Sequence, residues 1–295
     1  MGTKNILHMF SPQKHMSPFD VTMALDAGFD SVTPYTEVSL DDIAPLVQDA
    51  MFARSPRDAL RTAVFIGGRD VGLALDMMER LHETLLKPFE ISAFADPSGS
   101  FTTAAAMMAC VEKLLKKKKA IPIPRTKFLI FGGTGPVGYT SGIIAAMEGA
   151  EVTLAGRDLS RVQAKADEIK QRFGLEVQAV QAKTPQEYSS ALADKEVALC
   201  AATQGQQVLT AAVVASAKFL NVVADVNAVP PTGIEGLDRM ANGVELAGGV
   251  LGIGSLAIGN VKYKTESELF QRMATSTRAV SLDFRKAFAL GREIA

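Results

Sequence analysis

A β-forming apolar run, Lys127-Phe-Leu-Ile-Phe131, leads into Gly133-Thr-Gly135-Pro-Val-Gly138. Few patterns narrow a fold more than a glycine fingerprint set between a strand and a helix. Its glycines let a dinucleotide pyrophosphate approach the backbone and the helix N-terminus. Gly133, Thr134, Gly135, Pro136, Val137 and Gly138 are therefore the first cofactor-binding candidates. About 20 residues further on, an acidic side chain usually grips the adenosine ribose of NAD. Here the next strand ends in Gly156-Arg157, with Arg161 one helical turn later. Arginine suits a 2′-phosphate, so the pattern leans to NADP. A charge-assisted bond of roughly 1.5–3 kcal/mol separates the two nucleotides by only one to two decades, so use of NAD stays open.

The fingerprint sits in the second of two alternations of strand and helix. In the first, strands read at 5–10, 30–35, 62–66 and 89–95. Ser17-Pro18 opens a helix that Gly28 closes, and Ser39 opens another. Val71, Leu75, Met78, Leu81 and Leu85 line one helical face, and a long helix runs from Phe101 to Lys117. The lysines 116–119 suit a helix C-terminus. Pro122 and Pro124 then mark a boundary. In the second alternation, strands read at 127–131, 151–155, 175–180, 196–201 and 220–224, with a sixth at 243–247. After Gly259 the pattern turns helical, and Thr265-x-x-Glu268 reads as a capping box opening the first terminal helix. The fold class is α/β with two domains. Residues 1–120 and 265–295 form a parallel-sheet substrate domain, and residues 121–264 form a Rossmann dinucleotide-binding domain.

Composition removes several function classes. The 295 residues carry 31 Lys plus Arg against 32 Asp plus Glu, which leaves no basic field for nucleic acid. No apolar run reaches the length of a membrane span. The opening Met-Gly-Thr-Lys-Asn lacks a signal-peptide pattern. Gly2 lacks the Ser or Thr at position 6 that myristoylation uses, because Ile6 stands there. Cys110 and Cys200 lie in apolar runs and read as core thiols of a reducing compartment, so the cytoplasm is the expected location. No cysteine or histidine spacing suits a metal, and no Gly-x-Ser-x-Gly elbow offers a nucleophile.

Ligands of open parallel sheets collect at the carboxyl ends of the strands. In the first domain these ends carry Lys14 and His15, Tyr35, Gly67-Gly-Arg69-Asp70, and Asp96-Pro-Ser98-Gly-Ser100-Phe-Thr102-Thr103. Lys14, Asp20 and Asp96 are candidates for the chemistry. His15, Tyr35, Ser98, Ser100, Thr102 and Thr103 are candidates for substrate contact. Turn and cap chemistry explains Asp96 and Ser100 equally well, and Asp20 also complements a helix dipole. His8 reads as core, and His82 as a surface position. In the second domain Ala202 and Thr203 end the fourth strand, and Asp225 and Asn227 end the fifth ahead of Pro230-Pro231. Gly254 offers a close backbone approach, to cofactor or to a hinge, or a tight turn.

These stretches together carry a resemblance. Ser17-Pro-Phe-Asp-Val21, Phe65-Ile-Gly-Gly68, Ser98-Gly-Ser100, Thr102-Thr-Ala-Ala-Ala106, the glycine fingerprint, Ala224-Asp225, Asn227, Pro230-Pro231 and Leu251-Gly-Ile-Gly254 resemble the methylene-tetrahydromethanopterin dehydrogenases of methylotrophic bacteria. The likeness runs over nearly the whole chain, and is greatest to members accepting both NAD and NADP. It implies oxidation of methylene-tetrahydromethanopterin to the methenyl form in formaldehyde oxidation, a substrate cleft between two domains, and a homo-oligomer. NADP-only members of that family carry a lysine after the last glycine loop. Here that stretch reads Leu256-Ala-Ile-Gly259 and the first lysine is Lys262, so no role is carried over to it. Two alternatives stand beside this reading. A methylene-tetrahydrofolate dehydrogenase would carry a Tyr-x-x-x-Lys pair, whereas Tyr35 is followed four places on by Ser39. A non-catalytic NADP-binding redox sensor would need a partner surface.

Overall fold

The computed structural model describes residues 3–295. Gly2, and with it the question of its acylation, lies outside them, as does the side chain of Lys119. The chain forms two compact units, one of Met1–Thr102 with Tyr263–Ala287 and one of Thr103–Lys262 with Phe288–Ala295. Both are thus discontinuous in sequence.

In the first unit, strand β1 (Ile6–Phe10) leads to helix α1 (Pro18–Asp26), β2 (Ser31–Tyr35), α2 (Ile43–Phe52), the single turn α3 (Pro56–Ala59), β3 (Thr62–Ile66), α4 (Val71–Thr84) and β4 (Ser92–Ala95). Helix α5 (Ser100–Lys119) then begins. Ser17 caps α1 by accepting from the Asp20 backbone N–H, with Pro18 at the first helical position. Asp42, rather than Ser39, stands at the start of α2; Ser39 donates its N–H and hydroxyl to the Asp42 carboxylate. Strand β3 is buried at every position, as a strand covered on both faces must be. Pro34 is accommodated because β2 is an edge strand.

In the second unit come β5 (Lys127–Phe131), α6 (Pro136–Met147), β6 (Glu151–Gly156), α7 (Leu159–Phe173), β7 (Gln178–Gln181), α8 (Pro185–Leu192), β8 (Val197–Cys200), α9 (Ala211–Ser216), β9 (Val222–Asp225), β10 (Asn242–Glu245) and β11 (Leu251–Ile253). The long α10 (Ser255–Thr275), the short β12 (Ser281–Leu282) and α11 (Phe284–Ile294) complete the chain.

Both sheets are open. The first has the order β12-β4-β3-β1-β2, every pair parallel. The second has the order β10-β11-β9-β8-β5-β6-β7, parallel except for the β10–β11 pair. Strand order therefore reverses beside β1 in the first sheet, between β1 and β3, and beside β5 in the second, between β5 and β8. These are the switch points where crevices open at the carboxyl edge. In the first unit Phe65, Phe94 and Phe270 pack as an aromatic cluster with ring centroids 5.2–5.4 Å apart. The second unit's core includes Leu129, Ala155, Leu209, Val223 and Ile234.

The C-terminal third bears out one reading and corrects others. The glycine-rich stretch before Gly254 holds the parallel strand β11, not just a turn. Gly252 there leaves room for Leu237, whose Cδ1 would lie 2.6 Å from a Cβ. The strand expected at 243–247 is the antiparallel edge strand β10. Thr265 opens no helix: α10 runs unbroken from Ser255, and Thr265 is fully buried in its middle. Gly259 does not stop this helix, for nothing surrounds the position of a Cβ there and its φ is not left-handed. One glycine in a helix is tolerated at about 1 kcal/mol.

Candidate active site

At the second switch point the glycine fingerprint performs three distinct tasks. Gly132 takes a left-handed φ of 74° and passes so near Ala201 that a Cβ would strike its carbonyl. Gly133 and Gly138 pack against neighbours in the same way: a Cβ on Gly133 would lie 2.8 Å from Leu154, and one on Gly138 would run into the backbone of Gly132. Gly135 differs. It is the N-cap of α6, and the nearest atom to its Cβ position is the Gly132 carbonyl at 3.3 Å. Pro136 follows at the first helical position, where a missing N–H removes nothing. Val137 is half-buried on the same turn.

A cleft of about 160 Å³ opens there, with Thr134 and Gly135 on one side and Ala201, Ala202 and Thr203 on the other. Gly156 and Arg157 close its far end. The dimensions and the helix N-terminus suit a dinucleotide pyrophosphate. Asp158 does not compete for the ribose: its carboxylate accepts from the Ser160 hydroxyl at 2.7 Å and from the Ser160 and Arg161 backbone N–H groups. Those bonds, the Ser160 hydroxyl first, hold its carboxyl below the usual range. Asp158 is thus the N-cap of α7, and the exposed Arg157 beside it lines the cleft. Arg161 is exposed on the first turn of α7 and is not among the cleft-lining residues.

Sequence reasoning missed the wall made by Ala182, Tyr188, Gln206 and Val208. Tyr188 packs edge-on against Phe131 at 5.4 Å, and its hydroxyl donates to the Lys183 carbonyl at 3.2 Å. Burial raises its pKa, opposed by the nearby charge of Arg157. A signal existed: Thr184-x-x-Glu187 is a complete capping box that starts α8 just beyond β7.

Three further cofactor candidates make their bonds and contacts within the protein. Asp225 is buried, and its carboxylate accepts from the backbone N–H of Asn227 (2.9 Å) and of Gly233 (2.7 Å). Asn227 is buried too; its Oδ1 accepts from Gly205 and Val229, and its Nδ2 donates to the Pro231 carbonyl. Their polar groups serve the loops. Gly254 does make a close backbone approach, but to the carbonyls of Asp238 and Arg239 rather than to a ligand surface.

In the first unit the loops after β1 and β3 meet at the switch point. Gly68 has φ 107°, and Pro12 lies 2.9 Å from where its Cβ would be. Ser98, after β4, also holds a left-handed φ of 55° and donates its hydroxyl to the Gly68 carbonyl at 2.9 Å. Strained non-glycine backbone of this kind collects at ligand sites. Lys14, His15 and Arg69 are exposed on these loops. Asp20 is buried on the first turn of α1. Ser100 is fully buried, and its hydroxyl has no hydrogen-bond partner among the described residues. Thr103 is half-buried one turn on.

The remaining candidates of this unit make hydrogen bonds within it. Asp96 is fully buried; its oxygens accept from the Phe101 and Thr102 N–H groups and, at 2.5 Å, from the Thr102 hydroxyl. The Asp96 carboxylate thus caps the first turn of α5, and the Thr102 hydroxyl binds to it. Tyr35 shares a hydrogen bond of 3.1 Å with His8 Nδ1 and packs on Phe10, which turns its hydroxyl toward the sheet. Burial, and secondarily Arg54, lowers the His8 pKa. His82 is exposed, as expected, and shares a 2.8 Å hydrogen bond with the Ser281 hydroxyl.

The comparisons with known proteins bear on the whole chain. Residues 18–98 match the family model described as methylene-tetrahydromethanopterin dehydrogenase, N-terminal. The chain is 47% identical, over 99% of both sequences, to the NAD(P)-dependent methylenetetrahydromethanopterin dehydrogenase of Methylorubrum extorquens. It belongs to the methylenetetrahydromethanopterin dehydrogenase family. A second relative in the same organism, the bifunctional protein MdtA, is 33% identical over 99% of this chain and 100% of its own. Among solved structures, the family fold is shared with shikimate 5-dehydrogenase of Listeria monocytogenes, in complex with shikimate and NAD. The TM-score is 0.54 at 15% identity, covering 93% of each chain. The 5-ketofructose reductase of a Gluconobacter strain scores 0.51 at 14% identity over 99% of each. These two show the architecture alone.

Proposed function

We propose that this protein oxidises methylene-tetrahydromethanopterin to methenyl-tetrahydromethanopterin with NADP or NAD, as a step of formaldehyde oxidation. The end-to-end identity to the Methylorubrum dehydrogenase carries the reading, and the cleft between Gly135 and Arg157 supports its nucleotide half. When bound, the nicotinamide supplies the hydride acceptor. The reacting carbon of the substrate lies between two nitrogens, and loss of hydride leaves a cation whose charge those nitrogens share. No proton leaves that carbon, so the chain needs no poised base. Its task is to hold the reactants at near-attack separation, which agrees with a site lacking a catalytic His or Cys.

In this reading the pterin is held at the switch point of the first sheet. Lys14, His15 and Ser98 form the exposed contacts, and the orphan hydroxyl of Ser100 supplies a buried one, since buried polar groups call for partners. Asp20 is the carboxylate retained from the sequence reading for the developing positive charge. Among the described residues no helix is long and apolar enough to cross a membrane. Work in the cytoplasm as a homo-oligomer belongs to the same proposal.

The test is absorbance-monitored methenyl formation with each pterin and each nucleotide. Turnover on methylene-tetrahydromethanopterin with both NADP and NAD is the expected result. Turnover on the tetrahydrofolate analogue alone would replace the substrate, and nucleotide binding without turnover on either pterin would point to a redox sensor.

A further inference from the structure

The loop after β8 supplies one wall of the nucleotide cleft, through Ala202, Thr203 and Gln206. The loop after β9 is not among the lining residues, yet the two are sewn together. Asn227 Oδ1 accepts from the Gly205 N–H at 3.3 Å. Val208 and Leu209 donate their N–H groups to the Gly233 carbonyl, Glu235 donates to the Leu209 carbonyl, and Leu209 and Ile234 form a parallel bridge. Beneath them the Asp225 carboxylate holds Asn227 and Gly233 by their N–H groups, and Gly233 is needed because a Cβ there would lie 2.8 Å from that carboxylate. Asn227 Nδ2 fixes the Pro231 carbonyl at 3.0 Å, and the Arg239 guanidinium holds the Ala228 carbonyl at 3.1 Å. Every link is inside the second unit.

We propose that Asp225 and Asn227 are positioning residues that clamp the β9 loop to the β8 loop, so that the cleft wall Ala202–Gln206 is set before the dinucleotide arrives. The proposal rests on the reading of the cleft as the NAD(P) site, and it changes what these two side chains do there. A wall held in advance leaves less ordering to be done on binding. Because the clamp lies away from the ribose end, it acts on NAD and NADP alike. Arg157, at that end, is the residue that tells them apart.

The experiment measures dissociation constants for NADP and NAD, without pterin, by quenching or enhancement of nucleotide fluorescence using the reduced forms. It compares the wild type, Asn227→Ala and Asn227→Asp. The aspartate keeps the acceptor for Gly205 and loses the donor to Pro231. Asn227→Ala is expected to weaken both nucleotides about ten-fold, the worth of one hydrogen bond, and Asn227→Asp to recover most of that. Unchanged affinity in a folded Asn227→Ala, with only a lowered melting temperature, would overturn the clamp. So would a loss confined to NADP. Hydrogen exchange on the wild type gives a second readout that no folding defect can mask. Saturating NADP should protect segments 202–209 and 226–234 together; protection of the first alone would also overturn it. Failure of the wild type to bind either nucleotide would instead strike the reading of the cleft.

Discussion

Arg157 and the glycines around it show how single residues set this site. Arg157 is exposed and lines the cleft, and the neighbouring carboxylate of Asp158 is consumed by the cap of α7. Arg157→Ala should therefore weaken NADP by about ten- to a hundred-fold, the range of a charge-assisted bond, while NAD affinity stays nearly level. Parallel titrations with the two nucleotides check this; equal losses would remove the 2′-phosphate role. The glycines predict a contrast of another kind. A Cβ at 135 meets no atom nearer than the Gly132 carbonyl at 3.3 Å, a contact a small shift relieves, so Gly135→Val should fold and lose nucleotide binding. A valine at 138 meets the backbone of Gly132, so Gly138→Val should lose the fold itself, seen as a collapsed melting transition. Nucleotide affinity in Gly135→Val equal to that of the wild type would contradict this placement of the pyrophosphate.

Among the elements, α11 carries the clearest stability prediction. Arg292 near its end meets Glu112 of α5 at 2.6 Å and Glu148, just after α6, at 2.5 Å, and stacks over Phe288 at 4.1 Å. Burial pushes the Glu112 carboxyl up, but the bonds from Arg292 and Lys116 outweigh it and hold its pKa below the ordinary value of 4.5. A depressed folded pKa means stability fully present above that ordinary value and lost as pH falls through the folded one. Arg292 is about a third exposed, so solvent screening leaves about 1 kcal/mol for the group. Arg292→Ala should lower the melting temperature by about 2–4 °C at neutral pH. The difference from the wild type should shrink as the pH falls below the ordinary carboxylate range and Glu112 protonates. A pH-independent difference in thermal scans would assign the loss to packing on Phe288 instead. Element boundaries also show where local pattern misleads. Thr265 and Glu268 have the spacing of a capping box, yet no proline interrupts the stretch before them, and propagation of an existing helix needs no new nucleus. β11 is short and diluted by Gly252, so its strand character comes from pairing with β9, a partner that periodicity cannot name.

At the scale of the whole molecule, the chain's own order of residues sufficed for two parallel sheets, for the strand–glycine–helix junction at 127–138, and for an arginine where NAD-specific proteins place an acid. These are local matters: the reach of a few residues, the missing Cβ of a glycine, the β preference of an apolar run. Which loops share a crevice was decided only by strand order, which puts β8 beside β5 and β3 beside β1 across gaps of dozens of residues. That order brought Tyr188 and Val208 into the nucleotide cleft. It also settled the fate of the polar residues at strand ends. Asp96, Asp225 and Asn227 have the chemistry of ligand contacts, and in sequence they are indistinguishable from them. Folding buried each among unsatisfied backbone N–H groups, and a buried N–H without an acceptor is too unfavourable to leave. So these side chains were taken up by the loops, while Arg157, with no buried group to satisfy, stayed at the rim of the cleft.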